Sequence, residues 1–157
     1  MELAILEKYI KMNSHFVNEY YKGVVGVIVV NNIIFQDLEK FLSQYKLTYQ
    51  QFNILRILKG QYPKAVPLNL LKDRMLHKQS DVSRLVDRLV NMKFVEKKID
   101  DTNKRKLCVG LSELGYEVIN SIDVNGDGFK SITQNLSEDD MILFNQLIGK
   151  MISLKVD

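Results

Sequence analysis

Residues 80–92 have the sequence SDVSRLVDRLVNM, which is the most regular helical pattern in the chain. Its apolar side chains recur at i, i+3, i+4 and i+7, the spacing of one buried stripe along a helix. The stripe consists of Val82, Leu85, Val86 and Leu89. Ser80 is expected to cap the helix, with Asp81 favourable in its first turn. The opposite face carries groups that do not suit a core: Ser80, Arg84, Asp87, Arg88 and Asn91.

Two further helices are predicted before this stretch. Thr48 can cap the first of them, and Gln51 can return the hydrogen bond in a capping box. Gly60 ends that helix, and two prolines mark the connection that follows it. A short helix is then expected over about residues 68–75.

A charged hairpin is predicted after the stretch. Residues 94–99 and 106–111 have the composition and length of strands, and the polar residues 100–105 form the tip between them. Ser112 is expected to cap a helix running towards Ile122. Ser137 is expected to cap a last helix, which has three acidic residues in its first turn.

The N-terminal part of the chain is also predicted to be helical. Residues 2–21 carry a loose apolar stripe and are expected to form one helix. Residues 23–45 begin with a β-branched run that would suit a strand on propensity alone. From Val27 to Tyr45, however, apolar side chains recur at helical spacing, so a helix is preferred.

These elements predict a mainly α fold with a small β-hairpin. A short helix, a turn, a second amphipathic helix and a charged hairpin together define a winged helix-turn-helix, which we place at residues 47–112. The helices of residues 1–46 and 113–157 flank this domain within one structural unit. No repeat or independent second domain is visible in the sequence.

Positive charge is concentrated around the predicted helix-turn-helix. The chain has a net charge of +3, but Lys72 to Lys106 contain 11 basic and six acidic residues, so the remainder is slightly acidic. A solvated charged face is the simplest explanation of such a cluster. Its position on a helix followed by a hairpin favours a surface that faces phosphates.

Duplex DNA fits this arrangement. A major groove about 12 Å wide admits one α-helix, whose first residues reach the base edges. The predicted base-reading side chains are Gln79, Ser80, Ser83 and Arg84. The predicted phosphate contacts are Lys78, Arg88, Lys97 and Lys98, which position the protein without specifying sequence. Lys104 and Arg105, at the hairpin tip, are expected to enter the flanking minor groove.

Several stretches together resemble the MarR (multiple antibiotic resistance regulator) family of bacterial transcription factors. They are LTYQQFNIL at residues 47–55, SDVSRLVDRL at 80–89, FVEK at 94–97 and KRKLCVGLSELG at 104–115. Each stretch alone is weak evidence. Their order and spacing together are fairly specific to that family.

The resemblance implies a homodimer in which the N- and C-terminal helices act as dimerisation helices. It also implies a palindromic operator with half-sites about one helical turn apart. The family's regulators are more often repressors and are commonly released from DNA by a small, often aromatic, ligand. Arg105 corresponds to the family's wing-tip arginine, but Asn103 stands where the family has an aspartate. The helix-helix turn lacks the common glycine and contains Leu76-His77-Lys78 instead.

Other candidate sites are weaker. The stretch Asp123–Gly128 resembles the start of a calcium loop, but Gln134 replaces the bidentate glutamate that closes such a loop. A break in a long helix is therefore the preferred interpretation. Cys108 is the single cysteine, and a plain strand residue is preferred to an oxidation sensor. His15 and His77 are too isolated for a metal site, so no cofactor is expected.

The remaining patterns exclude some classes of protein. No pairing of nucleophile and base is visible, so an enzyme is not expected. The apolar stretch Gly23–Phe35 is too short and too polar to span a bilayer. The N-terminal residues lack the features of a signal peptide, and one cysteine fits the cytoplasm. The alternative function is a winged-helix module that binds protein without sequence-specific DNA binding.

Overall fold

A computed structural model describes residues 4–76, 81–99, 107–122 and 134–153. The fold is mainly helical with a small antiparallel sheet, as the sequence predicts. The helices are α1 (Ile5–Tyr9), α2 (Glu19–Ser43), α3 (Tyr49–Lys59), α4 (Leu68–Arg74), α5 (Val82–Asn91), α6 (Glu113–Ser121) and α7 (Glu138–Ile152). The strands are β1 (Val66–Pro67), β2 (Val95–Ile99) and β3 (Leu107–Leu111).

The chain divides into two compact units, Met1–Asp37 and Leu38–Asp157. In the first unit, the single helix predicted over residues 2–21 is wrong. Helix α1 ends at Tyr9, and the chain turns at Lys11, whose φ of 57° is left-handed. Helix α2 begins only at Glu19. The predicted helix at residues 23–45 is confirmed, because the β-branched run lies inside α2.

The buried carboxylate of Glu7 explains the break. It accepts hydrogen bonds from the backbone N–H of Ala4 at 2.7 Å and of Phe16 at 3.1 Å. The His15 ring nitrogen Nδ1 lies 3.1 Å from the same group. These bonds, first the one from Ala4, hold the pKa of Glu7 below its ordinary value although burial opposes them. A side chain that bonds the backbone on both sides of residues 10–15 favours a loop over a continuous helix.

The second unit is organised around helix α3. Its capping box is confirmed: the Gln51 N–H donates to Thr48 Oγ1 at 3.3 Å, and the Thr48 N–H donates to Gln51 Oε1 at 2.9 Å. Gly60 forms its C-cap, as predicted. The largest fully buried apolar side chains of the core come from α2 to α5 and from β2 and β3. They are Leu42, Ile54, Leu55, Leu58, Leu71, Val86, Leu89, Val95 and Val109.

The sheet has three strands in the order β1-β3-β2. The predicted hairpin is confirmed as β2 and β3, which pair antiparallel from Val95 opposite Leu111 to Ile99 opposite Leu107. The two-residue strand β1 is an addition that the sequence analysis missed. It pairs Pro67 with Cys108 at the edge of the sheet, where a proline is tolerated because it has no N–H to donate. Cys108 is a buried strand residue.

Ser112 joins the sheet to helix α6. Its hydroxyl accepts a hydrogen bond from the Gly115 N–H at 2.9 Å and donates one to the Lys93 carbonyl at 2.6 Å. The predicted cap is therefore confirmed. The same junction brings Gly115 against the backbone of Phe94, where an added Cβ would overlap the carbonyl oxygen. Only glycine fits here without moving the main chain.

Helix α7 has the predicted start at Ser137, whose hydroxyl accepts from the Asp140 N–H at 3.2 Å. The Asp140 carboxylate in turn accepts from Ser137, first from its hydroxyl, and this lowers the pKa of Asp140. None of the 15 residues of α7 is buried. Within the described parts of the chain, no helix is long and apolar enough to cross a membrane.

Replacing Gly115 tests this junction. We expect Gly115→Ala to lower the free energy of unfolding by about 1–3 kcal/mol, because the new methyl group displaces backbone instead of a flexible side chain. Chemical denaturation monitored by circular dichroism measures the change. Gly149→Ala in α7 is the matched control: its Cβ would meet nothing within 4 Å, so alanine should be neutral or stabilising by up to about 1 kcal/mol. Equal stability of both variants would contradict the close approach.

Candidate nucleic-acid interface

Helix α5 separates an apolar face from a polar face. Val82, Val86 and Leu89 are buried in the core that α5 forms with α3, α4 and β2, and Leu85 is half-buried. The polar face is solvent-exposed along the whole helix and consists of Ser83, Arg84, Asp87, Arg88 and Asn91. The predicted apolar stripe is therefore confirmed. The sheet and α3 fix the direction in which the polar face points.

The start of α5 differs from the prediction. The helix begins at Val82, and its N-cap is Asp81 instead of Ser80. Asp81 Oδ1 accepts a hydrogen bond from the Arg84 N–H at 3.1 Å. A carboxylate is a strong acceptor and is further favoured by the positive end of the helix dipole, so it succeeds as the cap. Ser83 and Arg84 are consequently the first exposed side chains inside the helix.

An open cleft of about 300 Å³ lies between the starts of α3 and α5. It is lined by Thr48, Gln50, Asp81, Arg84, Leu85 and Arg88. Among the described residues, neither guanidinium has an ion-pair partner. Sequence analysis assigned Thr48 to helix capping alone and did not consider Gln50. Their proximity to the arginines depends on the packing of α3 against α5, which no local pattern encodes.

The two predicted lysines on β2 are already paired. Lys97 Nζ forms an ion pair with the carboxylate of Asp87 on α5. Lys98 Nζ lies 3.3 Å from Glu96 Oε2 on its own strand. All four side chains are exposed. The positive charge of this strand is therefore largely balanced within the protein.

Half of the predicted contact residues lie outside the described part of the chain. These are Lys78, Gln79, Ser80, Lys104 and Arg105. His77, Asn103 and the stretch Asp123–Gly128 also lie outside it. The structure brings together Ser83, Arg84, Arg88 and Lys97 around the exposed side of α5, with Lys98 further along β2.

Two other titratable side chains have specific surroundings, His15 and Tyr49. His15 belongs to the first unit, where it contacts Glu7. In the second unit, Tyr49 opens α3, and burial raises its pKa while Arg56 opposes the shift. Its phenol is therefore protonated at neutral pH. Within the described ranges, no group of three or more histidine, cysteine, aspartate or glutamate side chains could hold a metal ion.

Comparisons with known proteins match the chain to transcriptional regulators. A family model described as transcriptional regulator SarA/Rot matches residues 37–122. The HTH-type transcriptional regulator PecS of Dickeya dadantii is 23% identical over 131 residues, covering 82% of this chain and 79% of PecS.

Solved structures match over most of the chain. A cysteine-to-serine mutant of MarR from E. coli, complexed with operator DNA, has a TM-score of 0.73 and 25% identity over 88% of this chain and 99% of that one. A MarR-like transcription regulator from Bacillus cereus has a TM-score of 0.75 and 20% identity, over 89% of this chain and 100% of that one. The common feature is the winged-helix fold.

The cap of α5 can be tested by substitution. We expect Asp81→Ala to lower the free energy of unfolding by about 1 kcal/mol, because the Arg84 N–H loses its acceptor. Asp81→Asn should remain close to wild type, since an asparagine side chain caps about as well. Urea denaturation of the three proteins gives the comparison. An alanine variant as stable as wild type would show that a different group caps this helix.

Proposed function

The chain belongs to the SarA/Rot family of transcriptional regulators, and we propose that it binds duplex DNA sequence-specifically as a homodimer. The resemblance to the MarR family is confirmed by the family match and by the MarR-type structures that share the fold. The observation that carries the proposal is the exposed face of α5, on which Arg84 and Arg88 have no ion-pair partner among the described residues.

The chemistry of that face suits base reading. Arg84 lies in the first turn of α5, where the side chains of a helix in the major groove reach base edges. A guanidinium can contact guanine O6 and N7 together, at about 1–3 kcal/mol of discrimination. Ser83 is its exposed neighbour, and Arg88 lies one turn further along, where phosphate contact is expected. Lys78, Gln79 and Ser80 precede this turn and remain predicted contacts.

The hairpin supplies the second part of the interface. The predicted tip of the hairpin, residues 100–105, includes Lys104 and Arg105. We propose that these two residues contact the flanking minor groove, where narrow A·T-rich sequence concentrates negative potential. Asn103 stands where the MarR family has an aspartate, so an ion pair that orients the wing is lost or replaced.

The exposed apolar face of α7 supports a dimer. Its seven large apolar side chains are each 38–61% exposed: Ile142, Leu143, Phe144, Leu147, Ile148, Met151 and Ile152. A contiguous apolar face of this kind marks an interaction surface. A second copy is the occupant we propose, because two winged domains related by a two-fold axis match a palindromic operator with half-sites one helical turn apart.

The proposed regulation depends on the distance between the two α5 helices of the dimer. We propose that the dimer acts as a repressor and that a small aromatic ligand, bound between the dimer helices and the winged domain, releases it. If the ligand changed that distance by a few ångströms, it would no longer match the spacing of successive major grooves. The two α5 helices could then not dock at the same time. The alternative function is a winged-helix module that binds protein. Salt dependence of DNA binding and the mass in solution distinguish it from a dimeric DNA-binding regulator.

Arg84 and salt provide the first test. Wild-type protein should select a duplex from a random library and lose affinity steeply with added salt. Arg84→Lys should keep most non-specific affinity but reduce preference for the selected duplex by about tenfold, because lysine cannot make the two-point contact. Lys59→Ala, at the far end of α3 from the cleft, is the control and should bind as wild type. Fluorescence anisotropy on selected and scrambled duplexes measures both affinities. Salt-insensitive binding, or none, would favour the protein-binding module.

Helix α7 provides the second test. We expect Leu147→Glu to convert the dimer to monomer and to lower operator affinity at least tenfold, because a charge replaces a buried contact at the proposed interface. Gln146→Glu adds the same charge on the polar side of α7, which also carries Lys150, and should remain dimeric. Sedimentation velocity gives the mass, and circular dichroism checks folding. A wild-type protein that stays monomeric at micromolar concentration would exclude the two-half-site mechanism.

A further inference from the structure

The ion pair between Asp87 and Lys97 joins the recognition helix α5 to the wing strand β2. Asp87 is the only acidic residue within α5, and it lies on the exposed face beside Arg84 and Arg88. Its side chain is 57% exposed and that of Lys97 is 36% exposed. The pair therefore lies within the surface that we propose to contact DNA.

We propose that Lys97 is a positioning residue for DNA binding, which neutralises Asp87 and keeps it away from the arginines, and that it does not itself contact phosphate. This inference rests on the proposed function. It replaces the direct phosphate contact expected for Lys97 from sequence with an indirect role through Asp87.

Helix geometry shows why Asp87 needs a partner on another element. Residues three apart on a helix are surface neighbours, so Asp87 is within reach of Arg84 for an i, i+3 ion pair. In the structure its carboxylate pairs with Lys97 instead, and neither arginine has an ion-pair partner among the described residues. Without Lys97, the carboxylate would compete with DNA for Arg84 and would present an uncompensated negative charge to the phosphates.

The stability of the pair is a smaller effect. Exposed ion pairs contribute little to folding on average, because water already screens both charges. A folding role alone therefore does not distinguish this pair from Lys98 and Glu96, which also form an exposed ion pair. The difference is position: the Lys98 pair lies within β2 and involves no residue of α5. The control is therefore Lys59, an exposed lysine at the end of α3 for which no DNA contact is predicted.

The experiment compares five proteins: wild type, Lys97→Met, Asp87→Asn, the double variant, and Lys59→Met. Binding is measured by fluorescence anisotropy over a range of salt concentrations. The probes are a duplex of about 30 base pairs, selected by wild-type protein from a random library and long enough for two half-sites, and a scrambled duplex of equal length.

We expect Lys97→Met to weaken binding to the selected duplex by about tenfold and to the scrambled duplex much less, because Arg84 is diverted from base reading. The double variant should return to within about threefold of wild type, with the same slope of log affinity against log salt, since the number of neutralised phosphates is unchanged. Asp87→Asn should bind at least as tightly as wild type. Lys59→Met should leave both affinities and the preference for the selected duplex unchanged.

Two outcomes would overturn the inference. Equal losses on both duplexes, with a salt slope reduced by about 1 in Lys97→Met and in the double variant, would make Lys97 a direct phosphate contact. Wild-type affinity and specificity in Lys97→Met would show that the pair has no role in binding. Failure of wild-type protein to bind any duplex would instead contradict the proposed function itself.

Discussion

The burial of one face of α5 is the constraint on which the rest of the site depends. Val86 and Leu89 are fully buried, and they pack in a core shared with α3, α4 and β2. Because a helix has only one such face, burying these side chains fixes the rotation of α5 and turns Arg84 and Arg88 outward. The surface that we propose to face DNA is therefore a consequence of core packing, and a change that loosens this core would also misplace the arginines.

Around the polar side of the same helix, ion pairs decide which positive charges are balanced, and the residue composition alone does not show these pairs. Counting residues assigns positive charge to α5 and β2 alike, but on β2 both lysines are paired with carboxylates. The cations without ion-pair partners that the described structure places on this surface are the two arginines of α5. We therefore propose that the helix reads the DNA sequence and that the wing strand has a supporting role. The tip residues Lys104 and Arg105 remain the predicted wing contacts.

The features that depend only on residues close in sequence were predicted from local patterns. The caps at Thr48, Ser112 and Ser137 and the apolar stripe of α5 depend on neighbouring residues, and the structure confirms them. The break after Tyr9 was missed because Glu7 acts on the backbone of Phe16, nine residues away. Strand β1 has two residues, too few for any periodicity, and the Asp87–Lys97 pair arises from packing between two elements. Dimer contacts and the ligand stay proposals for the same reason, since they depend on surfaces beyond one chain.

The most direct test of the account is the position of α5 on DNA, measured by dimethyl sulfate protection of guanine N7 in the selected duplex. Guanine N7 lies in the major groove, so a docked helix shields it. The account predicts two protected patches in major grooves about 10 base pairs apart, one for each α5 of the dimer. Saturated binding with every guanine N7 still reactive would contradict it, because α5 would then lie outside the groove.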